Sequence, residues 1–293
     1  MNAKWAWAGI ALIATTALLL AGCGSGSTPP AATSSTPGPA PAAPAGEDTL
    51  ARIKKEGVLK WGADSSGGAP FVFTDPKDAK KIIGFEIEIM DKLAEHMGVK
   101  HQIVDVKWEN LIPDMLANRS DMVMNGIEIN DERIKVVSFS QPYYQYEQQL
   151  TVRIEDKDKY KTLDDLKKNK IGTLSGAEAN NVLKRAGFAD DQVTGHDDSL
   201  TPYTNLDLKR VDAVLQESMI AEFYAGQNAK LYNIPQTFSP GKYAVAVRKT
   251  DGSLLAEIDK TLDLMKKNGE LAAIYKKWKM WDGKQGSVGI VEK

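Results

Sequence analysis

The residue best placed to do chemistry is Arg133, because of what surrounds it in the sequence. A buried strand is predicted over residues 122–127, and Asn130 is a good N-cap for a short helix with Arg133 in its first turn. Arg133 therefore follows the carboxyl end of a strand, where open α/β sheets bind ligands. A guanidinium there offers a planar fork of donors that suits a carboxylate. The same spacing also fits a surface arginine paired with a neighbouring acid.

A second group suited to anions is the turn after the strand predicted over residues 170–174. Residues 175–178 open a helix that is predicted to continue to Arg185. The first backbone amides of a helix have no partner within the helix, and the helix dipole favours negative charge at that end. This turn is therefore predicted to be an anion-binding site.

Other chemistries lack the residues they need. His96, His101 and His196 have no second set of ligands near them, so neither a metal site nor a cofactor is predicted. Cys23 is the only cysteine, which excludes cysteine-based catalysis in the folded body, and no Ser/His/Asp set is evident. The formal net charge of −2 argues against non-specific nucleic-acid binding.

The elements that position these groups alternate between strand and helix. A strand is predicted over residues 57–63 and a helix over 84–98, whose apolar residues recur every four positions and which ends at Gly98. Glu86 and Glu88 are interpreted as a solvated face near the start of this helix. Such alternation along the whole body calls for parallel sheets flanked by helices.

The stretch GIEINDERIKVVSFSQPYY, residues 126–144, resembles the signature of bacterial extracellular solute-binding protein family 3, the polar amino-acid receptors of ABC importers. RVDAVLQE at 210–217 and GELAAIYKKW at 269–278 match further family patterns, and the resemblance covers about residues 48–282. In this family the matching arginine grips the ligand's α-carboxylate. The resemblance therefore implies that role for Arg133, with Gly126 beside it as a further binding residue.

The resemblance also implies a partner for the ligand's ammonium group and walls for its side chain. Glu217 stands where the family's acid takes the α-ammonium, and Trp108 stands where members place an apolar or aromatic wall. Trp108 would also serve as a core residue. Members often carry an aromatic residue where this chain has Gly68, so either Phe71 or Phe73 replaces that wall or both belong to the core.

Three positions depart from the family pattern close to Arg133. Glu128 stands where relatives usually carry Thr or Ser, while Ala177 and Glu178 replace a Thr pair, which keeps the backbone amides and loses the hydroxyl. Two extra acids would repel a carboxylate unless one pairs with the arginine or is protonated. One hypothesis is that they bind a cationic side chain, as in lysine, arginine, ornithine or histidine. The other is that Glu128 braces Arg133 and Glu178 points to water.

The N-terminal region is predicted to be a lipoprotein signal peptide over residues 1–22, since Lys4 is followed by an uncharged run that closes with LAGC. That ending resembles a lipobox, which implies that Cys23 becomes the lipid-modified N-terminus. A simple membrane-anchoring helix is the alternative. Residues 23–47 carry several prolines and few charges, so they are predicted to form a disordered tether.

The resemblance implies a two-lobed α/β fold of the periplasmic-binding-protein type II. Lobe 1 is expected at residues 48–151 and 240–282, lobe 2 at 152–239, and a flexible tail at 283–293, with the first crossing between lobes at 151–153. The implied function is that of an extracytoplasmic, monomeric, lipid-anchored receptor. It would capture an amino acid by closing its lobes and deliver it to the membrane permease of an ABC transporter.

An enzyme is the alternative function. A few relatives of this fold are dehydratases of prephenate- or arogenate-like acids, which use a carboxylic acid in the pocket as general acid. Glu128 or Glu178 would take that part. The absence of a nucleophile and base set in the sequence favours the receptor.

Overall fold

Strands and helices alternate in the computed structural model, which describes residues 48–292. The strands are β1 (Val58–Ala63), β2 (Phe73–Asp75), β3 (Asp78–Ile83), β4 (Lys100–Asp105), β5 (Met122–Val123), β6 (Ser138–Phe139), β7 (Tyr144–Arg153), β8 (Ile171–Leu174), β9 (Val193–His196), β10 (Ala213–Glu217), β11 (Leu231–Asn233), β12 (Phe238–Tyr243) and β13 (Ala246–Val247). The helices are α1 (Thr49–Glu56), α2 (Phe85–Met97), α3 (Leu111–Leu116), α4 (Asp131–Ile134), α5 (Glu178–Arg185), α6 (Thr201–Asp207), α7 (Ser218–Tyr224), α8 (Gly252–Asn268) and α9 (Glu270–Lys277).

Two sheets organise the molecule. The first has the strand order β4-β1-β5-β13-β6, in which β4, β1 and β5 are parallel and β13 runs antiparallel to both of its neighbours. The second has the order β11-β7-β10-β8-β9, in which β10, β8 and β9 are parallel and β7 is antiparallel to β10. Each sheet is thus built around a parallel set of strands, and the predicted two-lobed α/β fold class is confirmed.

The chain passes between the sheets twice within the described residues. β7 lies wholly in the second sheet, so the first passage is at residues 140–143 and not at 151–153 as expected. β12 pairs with β7 and β13 pairs with β5, which places the return at residues 244–245. The long strand β7 begins early because it pairs with β12 beside the passage. The predicted lobe limits remain a prediction, and this pairing favours limits at the two passages.

Helix α2 forms as its apolar spacing predicts. Its fully or nearly buried face consists of Phe85, Ile89, Met90, Leu93 and Met97. It ends at Gly98, whose φ of 68° is the left-handed conformation that glycine adopts without steric cost. The interpretation of Glu86 as a solvated residue is wrong, because its side chain is fully buried and accepts hydrogen bonds from Tyr143 and from the backbone amide of Gly126. Glu88 pairs with Lys277 at the surface.

The C-terminal segment packs against β7, so the expectation of a flexible tail from residue 283 is wrong for the described residues 283–292. Residues Gly283–Val288 form a short 3-10 helix. Gln285 is fully buried, accepts a hydrogen bond from the Gln145 amide at 3.0 Å and donates one to the Gln145 carbonyl at 2.9 Å. Val288 and Ile290 are also buried, so apolar contacts fix this segment to the fold. The glycines around these residues made the segment look flexible in the sequence.

The predicted signal peptide, Cys23 and the tether, residues 1–47, lie outside the described residues. Among residues 48–292, no helix is long and apolar enough to cross a membrane. In the same part of the chain, His, Cys, Asp and Glu side chains nowhere come together in a group that would hold a metal ion.

Candidate functional site

A small cavity, about 20 Å³ in volume, lies where the carboxyl ends of the parallel strands of both sheets meet. The first sheet supplies the residues that follow β1, β4 and β5, and the second supplies those that end or follow β8, β9 and β10. This is the edge of an α/β sheet at which ligands bind. The lining residues are Asp64, Gly67, Gly68, Phe71, Trp108, Asn125, Gly126, Glu128, Leu174, Asp197, Ser199, Glu217, Ile220 and Tyr243.

Arg133 is held at the start of α4 by the predicted cap, since the Asn130 side chain accepts a hydrogen bond from the Arg133 amide at 2.9 Å. Its guanidinium lies between the two sheets. Nη2 donates to the backbone carbonyl of Gly176 at 3.1 Å, and the Cζ atom lies 5.4 Å from the ring centroid of Trp108. Arg133 lines a pocket next to the cavity and not the cavity itself. Its predicted role as carboxylate partner remains a prediction.

The side chain of Glu128 fills the space between Arg133 and helix α5. Its carboxylate forms an ion pair with the guanidinium, and its Oε1 accepts a hydrogen bond from the backbone amide of Glu178 at 3.0 Å. Only 1% of Glu128 is exposed. Burial lowers the pKa of Arg133, but the Glu128 carboxylate outweighs this effect and the net shift is upward. Arg133 is therefore a cation that a carboxylate of the same chain neutralises.

Glu217 ends β10 on the opposite side of the cavity and is 3% exposed. Burial raises the pKa of its carboxyl group well above the usual value, and the neighbouring Glu128 carboxylate raises it further. Tyr243 lies beside both acids, and burial together with these carboxylates raises the pKa of its hydroxyl. The structure thus brings two carboxyl groups, one from each side, to the same cavity.

Aromatic side chains form part of the cavity wall. Phe71 packs on Tyr243 with ring centroids 5.5 Å apart and faces the cavity, so it serves both the core and the wall. Phe73 packs on Phe223 and does not line the cavity. A Cβ at Gly68 would lie 2.5 Å from the backbone oxygen of Asp64, so no side chain fits at this position. Phe71 is therefore the aromatic residue of this turn that reaches the site.

Gly126 leaves the space that the Phe71 ring occupies in the cavity wall. Its φ is 64°, and a Cβ there would lie 2.6 Å from the Phe71 ring. The Gly126 amide donates to the buried Glu86 carboxyl at 2.8 Å. Gly126 therefore lines the cavity through its backbone, while its amide hydrogen bond is used within the fold.

The start of α5 contributes its backbone and not its side chains. Ala177 is buried at the N-cap and does not line the cavity. The Glu178 carboxylate turns along its own helix, where Arg185 and Asn181 donate to it at 2.8 and 2.9 Å. Of the two acids that depart from the family pattern, Glu128 therefore reaches the cavity and Glu178 does not.

Hydrogen bonds cross from one side of the cavity to the other. Trp108 Nε1 donates to the Ser175 carbonyl at 3.0 Å, and the Ser199 amide approaches the Gly67 carbonyl at 3.4 Å. The contacts of Arg133 with Gly176 and of Glu128 with Glu178 span the same gap. The two sides are thus closed upon each other.

Sequence reasoning missed several lining residues. Asp64 accepts hydrogen bonds from the amides of Ser66 and Gly67, which shape the turn after β1, and from the amide of Trp108, which ties the start of the next segment to that turn. An Asp followed by Ser and Gly is a recognisable turn pattern that would have indicated this role. Tyr243 reaches the site because its strand pairs with Glu128, a long-range pairing that no local pattern reveals.

Two sheets joined by two passages and closed over one cavity define the class of periplasmic-binding-protein-like folds of type II. A family model of the bacterial extracellular solute-binding proteins, family 3, matches residues 59–280. The chain belongs to this family.

Named relatives and solved structures agree with this assignment. The L-cystine-binding protein TcyJ of Escherichia coli strain K12 is 33% identical over 235 residues, which cover 80% of this chain and 87% of that protein. The structure of an ancestral arginine-binding protein bound to arginine matches with a TM-score of 0.69 and 34% identity, covering 76% of this chain and 98% of that one. The ancestral amino acid-binding protein AncCDT-1, described as a precursor of cyclohexadienyl dehydratase, matches with a TM-score of 0.72 and 29% identity, covering 79% and 99%.

Proposed function

We propose that the protein is the solute receptor of an ABC importer and that it captures a small, positively charged solute of the amino-acid class in the cavity between its two sheets. The family supports the receptor role, and the relatives are named for binding cystine, histidine and arginine. Closure would bury the solute, and the closed form would be the state that the membrane permease recognises. Ligand binding would favour closure because the solute contacts both sides at once.

The observation that carries the proposal is the position of Glu217. Its carboxyl group is buried at the cavity wall beside another acid, and burial raises its pKa, so an ammonium group that binds there would favour the ionised carboxylate and bond to it. A charge-assisted hydrogen bond from an ammonium group in such a site contributes about 1.5–3 kcal/mol. Trp108 and Phe71 would pack on the apolar part of the solute.

We also propose that Cys23 carries the lipid anchor and that the receptor acts as a monomer outside the cytoplasmic membrane. The LAGC sequence and the proline-rich stretch that follows it support the anchor and a tether. The family description as extracellular proteins supports the location. Radiolabelled palmitate incorporation that is lost in Cys23→Ala would test the anchor.

Calorimetric titration of the purified protein with amino acids and simple amines tests the proposed function. We expect a cationic member of the panel to bind with a micromolar Kd, which corresponds to about 8 kcal/mol. Glu217→Gln should weaken that binding about 10- to 150-fold because it removes the charge that faces the cation. Glu222→Gln, an exposed acid on α7, is the matched control. Tightest binding to glutamate or aspartate, or no binding across the panel, would overturn the proposal.

The dehydratase alternative has weaker support. In that alternative, Glu128 or Glu178 would act as general acid. Both side chains are engaged in ion pairs, Glu128 with Arg133 and Glu178 with Arg185. The relatives compared above are named as binding proteins. Incubation with prephenate, followed by a search for an aromatic product, separates the two functions, and we expect no product.

A further inference from the structure

A site built to bind a carboxylate is occupied by a side chain of this chain itself. The Glu128 carboxylate pairs with the Arg133 guanidinium and accepts a hydrogen bond of 3.0 Å from the amide of Glu178, the first residue of α5. A guanidinium and the N-terminus of a helix are the donors that an amino acid's carboxylate requires. Glu128 therefore takes the part of a ligand carboxylate.

Displacing Glu128 from this position would be costly. The residue is 1% exposed, so breaking its ion pair with Arg133 leaves a buried charge without a partner. This cost lowers the affinity for any solute whose carboxylate displaces Glu128 by a factor of about one hundred or more. Its backbone is also fixed, since it bridges to Tyr243 and its carbonyl accepts a hydrogen bond from Arg133 Nη1 at 3.1 Å. An incoming carboxylate would in addition lie beside the carboxyl group of Glu217.

The rest of the cavity is suited to a cation. Four acids line it, and none of the described lining residues is lysine or arginine; the acids are Asp64, Glu128, Asp197 and Glu217. Tyr243 is 1% exposed, and its hydroxyl has no hydrogen-bond partner in the part of the chain that the structure describes. That hydroxyl is free to accept from an ammonium group, and the rings of Phe71 and Trp108 offer faces that attract cations.

We propose that the preferred solute is an organic cation without a carboxylate: an aliphatic amine or guanidine that corresponds to a decarboxylated basic amino acid. Its charged group binds beside the carboxyl groups of Glu128 and Glu217, against the aromatic wall. The inference rests on the proposed function: it keeps the importer role and the positive charge of the solute, and it replaces the cationic amino acid with the amine that lacks the α-carboxylate. Arg133 then holds Glu128 in place and does not contact the solute.

Matched pairs of solutes test this inference by calorimetric titration of the purified protein. Arginine and agmatine, lysine and cadaverine, and ornithine and putrescine differ within each pair only by the α-carboxylate. We expect the amine to bind at least about tenfold tighter than its amino acid in the pair that fits the cavity. An amino acid that binds as tightly as its amine, or more tightly, in every pair would overturn the inference and leave the proposed function standing. Absence of binding by all six would overturn both.

Variants of Glu128 separate its charge from the space that it fills. Glu128→Thr empties the position and frees the donors of Arg133 and of the α5 amide, so it should weaken amine binding and strengthen amino-acid binding until the preference inverts. Glu128→Gln keeps the position filled but removes the charge, so it should weaken amine binding about tenfold or more while amino acids remain excluded.

Glu132→Gln is the control for these variants, because Glu132 is an exposed acid on α4, the short helix that carries Arg133, and does not line the cavity. It should leave both affinities unchanged. Circular dichroism melting of each variant confirms that it is folded. A folded Glu128→Thr protein with the solute preference of the parent would overturn the inference.

Discussion

The indole nitrogen of Trp108 donates a hydrogen bond of 3.0 Å to the backbone carbonyl of Ser175. Trp108 follows β4 of the first sheet, and Ser175 follows β8 of the second, so this bond joins the two sides of the cavity. The same indole faces the cavity and the Arg133 guanidinium. One side chain therefore serves both as wall of the site and as latch of the closed form.

Trp108→Phe should weaken solute binding about 2- to 10-fold, because it keeps an aromatic wall and removes one neutral hydrogen bond that forms only on closure. The effect should fall mainly on the dissociation rate, which stopped-flow tryptophan fluorescence or surface plasmon resonance measures. Trp281→Phe is the matched control, since Trp281 lies in another pocket. A Trp108→Phe protein that releases solute at the parent's rate would show that the bond does not hold the closed form.

Gly67 allows the two sides to meet. A Cβ at this position would lie 2.9 Å from the Cβ of Asp198, which belongs to the loop after β9. Gly67→Ala should therefore hold the sides slightly apart and weaken solute binding about 5- to 150-fold, as an overpacked contact costs about 1–3 kcal/mol. Small-angle scattering should show a larger radius of gyration for the variant at saturating solute.

The control for Gly67 is Gly252→Ala, because a Cβ at Gly252 meets no atom within 4 Å. Since the predicted clash exists only between the two sides, the melting temperature of the unliganded Gly67→Ala protein should stay close to that of the parent. A much lower melting temperature of the unliganded variant would instead mean that the added methyl group clashes within one side, and not between the two sides.

Glu86 makes stability depend on pH. Burial raises the pKa of its carboxyl group from 4.5 to about 8, and hydrogen bonds from Tyr143 and Gly126 reduce the shift only in part. Between these values the folded state keeps a proton that the unfolded state has lost. The stabilising contribution is therefore complete below pH 4.5 and is lost as the pH rises towards 8, by up to about 1.4 kcal/mol per pH unit.

Glu86→Gln should remove this part of the pH dependence, because glutamine keeps the acceptor oxygen and is neutral at every pH. Urea denaturation at pH 5, 6.5 and 8 measures it, with Glu95→Gln, an exposed acid on the same helix, as the control. Equal slopes of unfolding free energy against pH in the parent and in Glu86→Gln would mean that Glu86 is ionised in the folded state.

The fold could be predicted because its signals are local. The four-residue spacing of α2, the Asn130 cap and the glycine that ends α2 depend on neighbours in the sequence, and the structure has all three. The contacts of acids depend on the rest of the molecule. Glu86 and Glu178 both occur near the start of a helix, yet Glu86 is buried against Tyr143 and Glu178 pairs with Arg185. Sequence position alone does not distinguish them.

The sequence predicts which residues belong to the site, but it does not predict which of them contact one another. Arg133, Glu128 and Glu217 were identified because they fall on motif positions, and the structure brings Glu128 and Glu217 to one cavity. Glu128 accepts a hydrogen bond from the amide of Glu178 on the other side of the cavity. This contact depends on how the two sides meet, and a local sequence pattern does not predict it. Of the hypotheses about the extra acids, the one in which Glu128 braces Arg133 agrees with their ion pair, whereas Glu178 pairs with Arg185 and does not simply point to water. Binding of a cationic side chain by these acids stays a prediction.

Solute binding should release a proton from Glu217. Burial and the Glu128 carboxylate raise the pKa of Glu217, and the other titratable groups that face it are Arg133, Tyr146, Tyr203 and Tyr243. A cation that binds beside Glu217 favours the ionised carboxylate, so binding lowers its pKa and expels the proton. Affinity should therefore increase as the pH rises towards the raised pKa.

Titrations at one pH in two buffers of different ionisation enthalpy measure the protons released. We expect up to one proton per solute, and none in Glu217→Gln, whose weaker binding should also be independent of pH wherever Glu217 titrates in the parent. Burial raises the pKa of each of the three tyrosines, so Tyr146, Tyr203 and Tyr243 stay protonated and do not contribute. Equal binding enthalpies in the two buffers for the parent protein would mean that Glu217 is already ionised before the solute binds, and that its charge is balanced from within the fold.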